Sequence, residues 1–127
     1  MNKLTAEWVR KAEVDWQVAQ RLAAEKPRLN DPICFHCQQA VEKYLKALMQ
    51  ENGLVAQRTH NLGALLTQML SLDQSLRRFR LRLDRVTDYA VDYRYPGIHA
   101  TTRQSQSAIK TTLLIRSELR RLLGLPV

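Results

Sequence analysis

Apolar residues recur along most of this chain at alternating steps of three and four, the period of one face of an α-helix. Leu76, Phe79, Leu83, Val86, Ala90 and Tyr93 form the clearest such series. No segment alternates apolar and polar residues over a useful length, so the pattern a half-buried strand needs is missing. Gly and Pro number only four each, while Leu, Ala, Gln, Arg and Glu are plentiful, a stock that favours helices over strands and turns. An all-α fold follows. At 127 residues with no linker, repeat or low-complexity stretch, the chain reads as one domain over residues 1–127, large enough to bury about two-thirds of its unfolded surface.

Breaks in the pattern divide the chain into four long helices and one short one. The first begins with Thr5 as N-cap, turns Trp8, Ala12, Trp16, Ala19 and Ala23 inward, and ends before Pro27. Asp31-Pro32 starts the second, Asp31 as N-cap and Pro32 in the first turn; Ile33, Cys37, Ala40, Tyr44 and Leu48 face the core until Asn52-Gly53. Asn61 caps a short third helix carrying Leu62, Leu65, Leu66, Met69 and Leu70. A fourth runs from about Gln74 to Tyr93 and stops at Pro96-Gly97, and a fifth from about Thr101 to Leu123 presents Ala108, Thr112, Ile115, Leu119 and Leu122. Tight connections between long helices predict an antiparallel up-and-down four-helix bundle with an additional short helix.

Lys and Arg total 20 against 12 Asp and Glu, giving +8 and a pI near 10.0, a balance that attracts polyanions such as RNA or a nucleotide. The excess is uneven: Arg77, Arg78, Arg80, Arg82 and Arg85 fall within nine residues, and from Arg94 onward six basic residues face a lone Glu118. These arginines are read either as solvated helix faces, partly paired with Asp84 and Asp88, or as a polyanion contact surface. No apolar run approaches the ~20 residues of a membrane span, and Met1-Asn2-Lys3-Leu4-Thr5 lacks the apolar core of a signal peptide, so a cytoplasmic protein is expected.

Several polar groups invite chemical readings that geometry discourages. On a helix the sulfurs of Cys34 and Cys37 lie close together while His36 points to the opposite side, so the three cannot share a metal; buried, reduced cysteines are expected. Asp84, Asp88 and Asp92 line one stripe at steps of four, which Arg80 and Arg85 are placed to neutralise as a salt-bridge ladder rather than a metal site. His60 sits where a polar side chain orders a turn. His36, Gln38 and Gln39 put hydrogen-bonding groups on the second helix, either to hold a neighbouring helix or to touch a nucleotide.

Arg94 and His99, with four residues between them across the Pro96-Gly97 break, suit one chemistry in particular. Metal-free RNA cleavage needs a base for the 2′-hydroxyl proton and a cation for the charge developing on phosphorus. Imidazole titrates near neutrality and can act as base and then acid, whereas guanidinium stays charged and grips phosphate oxygens in pairs. One ends a helix and the other precedes the next, so both can address a shared cleft. Tyr89, Tyr93 and Tyr95 surround Arg94 with aromatic area that serves either a dimer surface or the monomer core.

The block Phe35 to Leu48, with Gln38-Gln39-Ala40, Glu42-Lys43 and Leu45-Lys46-Ala47-Leu48, the His60-Asn61-Leu62 start and Tyr93-Arg94-Tyr95-Pro96 resemble the HEPN domain family over nearly the whole chain. That resemblance implies a small helical bundle, a homodimer, and a minimal nucleotidyltransferase partner in a two-component, toxin-antitoxin type system. In nucleolytic members an Arg and a His near the start of the last helix form, on dimerisation, a composite ribonuclease cleft; Arg94 and His99 match them. Tyr95, however, stands where those members carry Asn, Asp or His, and Thr101 where a tyrosine can be nucleotidylated. The resemblance therefore implies either a metal-independent endoribonuclease with Arg94 and His99 as catalytic residues, or a noncatalytic module that binds a nucleotide or a partner. Tyr95, Arg85, His36 and Gln39 are the candidate substrate contacts. No metal ligands and no cofactor are expected.

Overall fold

The computed structural model describes every residue except Ala90, whose expected inward position therefore lies outside the described residues. Among the described residues five α-helices follow one another: α1 (Lys3–Ala24), α2 (Asn30–Glu51), α3 (Leu62–Met69), α4 (Arg80–Asp92) and α5 (Thr102–Leu122). A 3₁₀ segment, Gln74–Phe79, leads into α4, and the described residues contain no strand. The long helices form an antiparallel up-and-down bundle with α3 as its short addition. α2 is the centre, packed against α1, α5, α4 and α3.

The second helix earns that place by its composition. Ile33, Cys37, Ala40, Tyr44 and Leu48 are buried as expected, and so are Cys34, Val41, Leu45, Ala47 and Met49. An apolar surface this wide needs partners on several sides. They come in two groups. The larger cluster joins Val41, Tyr44, Leu45 and Met49 to Val9 of α1, to Leu62, Leu65 and Leu66 of α3, to Leu83 and Val86 of α4, and to Ile115 and Leu119 of α5. Full burial of a side chain of this size contributes about 1.5–3 kcal/mol. A smaller cluster of Ala19, Ile33, Cys34, Cys37, Ala100 and Ala108, flanked by Tyr89 and Tyr93, lies around the start of α2.

Two helix starts and one long run differ from the sequence expectation. α1 is capped by Asn2, whose Oδ1 accepts the Thr5 N–H at 2.8 Å and the Thr5 hydroxyl at 2.9 Å. Asn is the better cap, and it frees Thr5 to be buried in the first turn. α2 begins at Asn30 behind Leu29, which makes no side-chain cap; Asp31 is not the N-cap, because its carboxylate is engaged by the chain before α5. The run from Gln74 is split. Leu76 and Phe79, three apart, both drop into the core because 3₁₀ geometry eclipses residues at that spacing, and Asp73 caps the segment through the Ser75 N–H. α5 does start where expected, behind Thr101, which forms a reciprocal capping box with Gln104.

The acidic stripe on α4 is also corrected. Among the described residues neither Arg80 nor Arg85 pairs with Asp84, Asp88 or Asp92. Arg80 instead reaches α3, donating to the Gly63 carbonyl at 3.4 Å and the Thr67 hydroxyl at 2.9 Å. Packing of α3 on α4 drew that guanidinium away from its own helix.

Candidate functional site

Between α4 and α5 the chain must reverse within a few residues, and Tyr95-Pro96-Gly97-Ile98 does it. The Ile98 N–H donates to the Tyr95 carbonyl at 3.4 Å, and Gly97 has φ +86°. Pro ahead of a residue with positive φ is a type II turn, a geometry that favours glycine at that position. The turn delivers His99 and Ala100 to the start of α2.

There Asp31 takes hold of both. Its Oδ1 accepts the Ala100 N–H at 2.7 Å, and its Oδ2 lies 3.4 Å from His99 Nδ1. With the proton on Nδ1 the imidazole donates to Asp31 and leaves Nε2 free to exchange a proton. The His99 side chain is 77% exposed, so substrate in solution can reach it.

Arg94 approaches the same helix end from the other side of the turn. Its guanidinium carbon sits 5.1 Å from the centre of the Phe35 ring, a cation–π contact that positions the charge without neutralising it. Among the described residues Arg94 has no carboxylate partner. Asp31, Pro32, Phe35, Tyr93 and Arg94 line a shallow pocket of about 270 Å³. Asp31 thus belongs both to the pocket that holds Arg94 and to the contact with His99. Tyr93 stacks on Tyr89 at 5.9 Å between ring centres and closes the smaller core cluster, whereas Tyr95 is 64% exposed beside Arg94.

The other sequence candidates lie elsewhere. Arg85 faces a groove between α4 and α5. His36 rests edge-on against Phe35, yet its Nδ1 is 2.8 Å from Asp15 Oδ1 on α1, and Lys43 donates to the other oxygen of that carboxylate. Gln39 donates to Gln38 Oε1 at 2.8 Å. Gln38 in turn donates to Glu42 and to the His60 carbonyl, while His60 Nδ1 lies 2.8 Å from Glu42 Oε1 and Lys46 donates to Oε2. Gln38 therefore ties α2 to the connection before α3, Gln39 bonds within α2 itself, and His60 orders that connection.

Cys34 and Cys37 are both free and buried, and burial pushes each thiol up to about 12. Neither is a thiolate near neutral pH. The described residues contain no group of three or more His, Cys, Asp or Glu side chains arranged to hold a metal ion.

Sequence reasoning named Arg94 and His99 but not the parts of Asp31 and Phe35. Phe35 is only the first residue of an apolar block, and the Asp31–Ala100 bond joins positions 69 apart, a pairing no local pattern announces. An aspartate before proline at a helix start was the available signal, and it points equally to a cap.

Comparison with known proteins agrees with this architecture. Two solved structures superpose over nearly all of the chain: TT1696 from Thermus thermophilus, with a TM-score of 0.81 at 20% identity over 95% of this chain and 98% of that one, and ST0689, an archaeal HEPN homologue, with 0.74 at 22% over 96% and 98%. At such identities the likeness is one of fold. No curated protein matches in sequence. The HEPN domain model, however, matches residues 5–122, from the first turn of α1 to the last residue of α5, and the chain therefore belongs to the HEPN domain family.

Proposed function

We propose that this HEPN protein is a metal-independent endoribonuclease, active as a homodimer and paired with a minimal nucleotidyltransferase in a toxin-antitoxin type system. The observation that carries the nuclease reading is an Arg94 guanidinium with no carboxylate partner among the described residues, on the same exposed helix end as a His99 imidazole contacted by Asp31. His99 Nε2 takes the proton of a ribose 2′-hydroxyl, whose oxygen then attacks the adjacent phosphorus. The bond to the 5′-oxygen breaks, and that oxygen leaves with a proton, giving a 2′,3′-cyclic phosphate and a 5′-hydroxyl end. Arg94 stabilises the charge on the phosphoryl oxygens as the five-bonded phosphorus forms. One subunit offers one imidazole, so a dimer that apposes two such turns supplies both base and acid. The transferase partner follows from the family resemblance; the basic surface, at +8, supports an anionic ligand in either role.

Incubation of purified protein with mixed RNA in EDTA tests this. Cleavage should persist in the chelator and fall by about 10²–10⁴-fold in His99→Ala and about 10²–10³-fold in Arg94→Ala. Intact RNA after prolonged incubation with native protein refutes catalysis. A second reading, a nucleotide-binding module without cleavage, is supported by Tyr95, whose exposed ring beside Arg94 suits stacking on a base. Tight nucleotide binding with uncut RNA, abolished in Arg94→Ala, distinguishes it.

A further inference from the structure

Helices α4 and α5 each pack closely on α2 or α3 but touch one another only lightly, and the space between them is an open groove. One stretch of about 620 Å³ is walled by Arg82, Arg85 and Val86 on α4 and by Lys110, Leu113 and Leu114 on α5. A second, of about 450 Å³, shares Arg82 and Leu114 with the first and continues to Arg78 and Arg121. The two form one furrow along both helices.

Its chemistry is of two kinds. Leu113 and Leu114 are 50% and 42% exposed, an apolar strip left in water. Arg82, Arg85 and Lys110 rim it, and among the described residues none of the three has an ion-pair or side-chain hydrogen-bond partner. Among the described residues one side-chain carboxylate lines the furrow, that of Glu118, and it is already held by Arg78 at 3.4 Å and Arg121 at 2.5 Å. The occupant must therefore bring both apolar surface and negative charge.

A second copy of this chain is a poor fit, since a two-fold pairing through this face would set the rim cations of one +8 chain against those of the other. Nucleic acid would satisfy the cations but gain little from two leucines, and of the aromatic rings lining the furrow among the described residues Tyr89 is half-buried and Phe79 is buried beneath Arg78, which leaves little face for base stacking. An amphipathic helix with an apolar stripe flanked by Asp and Glu answers both requirements. From Ser107 to Arg121 the wall of α5 extends about 21 Å at helical rise, room for about four turns of such a helix.

We propose that the α4–α5 groove is a docking site for an acidic amphipathic helix of a partner protein, seated on Leu113 and Leu114 and flanked by Arg82, Arg85 and Lys110. Neither Arg94 nor His99 lines the groove, so this inference stands independently of the ribonuclease reading. The probe is a fluorescein-labelled synthetic helix of about five turns, with leucines at steps of three and four and glutamates on either side, titrated by anisotropy. Its controls are a scrambled peptide of identical composition and a labelled oligouridine. Saturable binding of the patterned peptide is expected, weakened about tenfold or more both by the double change Leu113→Ser, Leu114→Ser and by Arg82→Gln, Arg85→Gln. These residues line the surface, so circular dichroism should show both variants folded. Equal affinity for the scrambled peptide or the oligouridine, with the leucine variant unaffected, makes the groove a general polyanion surface and overturns the proposal. Absence of saturable binding by the patterned peptide overturns it as well.

Discussion

Replacing Asp31 separates two roles that the structure gives to one carboxylate. Its Oδ1 receives the Ala100 N–H at 2.7 Å and Ala100 is only 8% exposed, so truncation leaves a backbone donor with little access to water. A hydrogen bond to a charged group contributes about 1.5–3 kcal/mol, and a carboxylate in the first turn of α2 adds about 0.3–1 kcal/mol through the helix dipole. With the Asp31 side chain 31% exposed, the lower part of the combined range applies, and Asp31→Ala should cost about 2 kcal/mol. For a domain of this size that lowers Tm by roughly 6–12 °C. Asp31→Asn keeps an acceptor for Ala100 but removes the charge beside His99, so about 1 kcal/mol is expected. Urea and thermal unfolding followed at 222 nm give both values, and RNA cleavage in EDTA supplies the second readout. If Asp31 orients His99 for proton transfer, the Asn variant loses more activity than its small loss of stability explains. An Ala variant within about 0.5 kcal/mol of the native protein would refute the claim that this carboxylate holds the turn to α2.

Glu42, 3% exposed and bonded to Gln38, His60 and Lys46, should lose about 3–5 kcal/mol on change to Ala, because the surrounding donors are then left without their charge; urea midpoints measure it. Leu65→Ala removes a fully buried side chain of α3 and should cost about 2–5 kcal/mol in the same assay. Cys34 and Cys37, buried and pushed up to about 12, should resist a thiol reagent in the native protein and react at once after unfolding; rapid native labelling contradicts their placement. For Glu13, burial works to raise the carboxyl, but hydrogen bonds from Arg116 and Tyr44 prevail and hold it below the ordinary 4.5. A depressed carboxyl contributes stability above its unfolded pKa that is lost as pH falls through the folded one. The native protein should therefore lose stability below about pH 4.5 more steeply than Glu13→Gln, and matching acid profiles refute the assignment.

The bundle was legible because helical period, Asn61 as a cap, Thr101 as a helix start, and the Pro and Gly breaks all point the same way. Two of the misread details share a cause. Asp31 and the Asp84 to Asp92 stripe were each assigned a partner on their own segment, whereas the structure gives Asp31 a partner in the α4–α5 connection and Arg80 partners on α3; Thr5 merely yields the cap to Asn2, three residues before it. Sequence patterns report neighbours three or four residues away; the Asp31–Ala100 bond joins positions 69 apart and Arg80 crosses to Thr67. Arg94 and His99 stood out as chemical types at a helix break, but Phe35 had no polar signature to mark it as the platform for a guanidinium.

The distribution of polar groups around α2 bears on how that turn is kept in place. Leu and Ala surfaces tolerate sliding, since the dispersion attraction given up at one position is regained at the next. Directional bonds do not, because they weaken steeply with distance and angle. α2 has such bonds toward α1, α5 and the connections before α3 and α5: Asp15 of α1 meets His36 and Lys43, Glu42 meets His60 ahead of α3, Tyr44 donates to Glu13 and accepts from Arg120 of α5, and Asp31 accepts from Ala100. The apolar clusters supply most of the driving force, and these bonds set the register at which α1 and α5 rest on α2. Two of them, at Tyr44 and at Asp31, lie near opposite ends of the α2–α5 contact. A slip of α5 by one residue would move its chain about 1.5 Å and break both together, which holds His99 at the start of α2 although the turn that carries it is exposed.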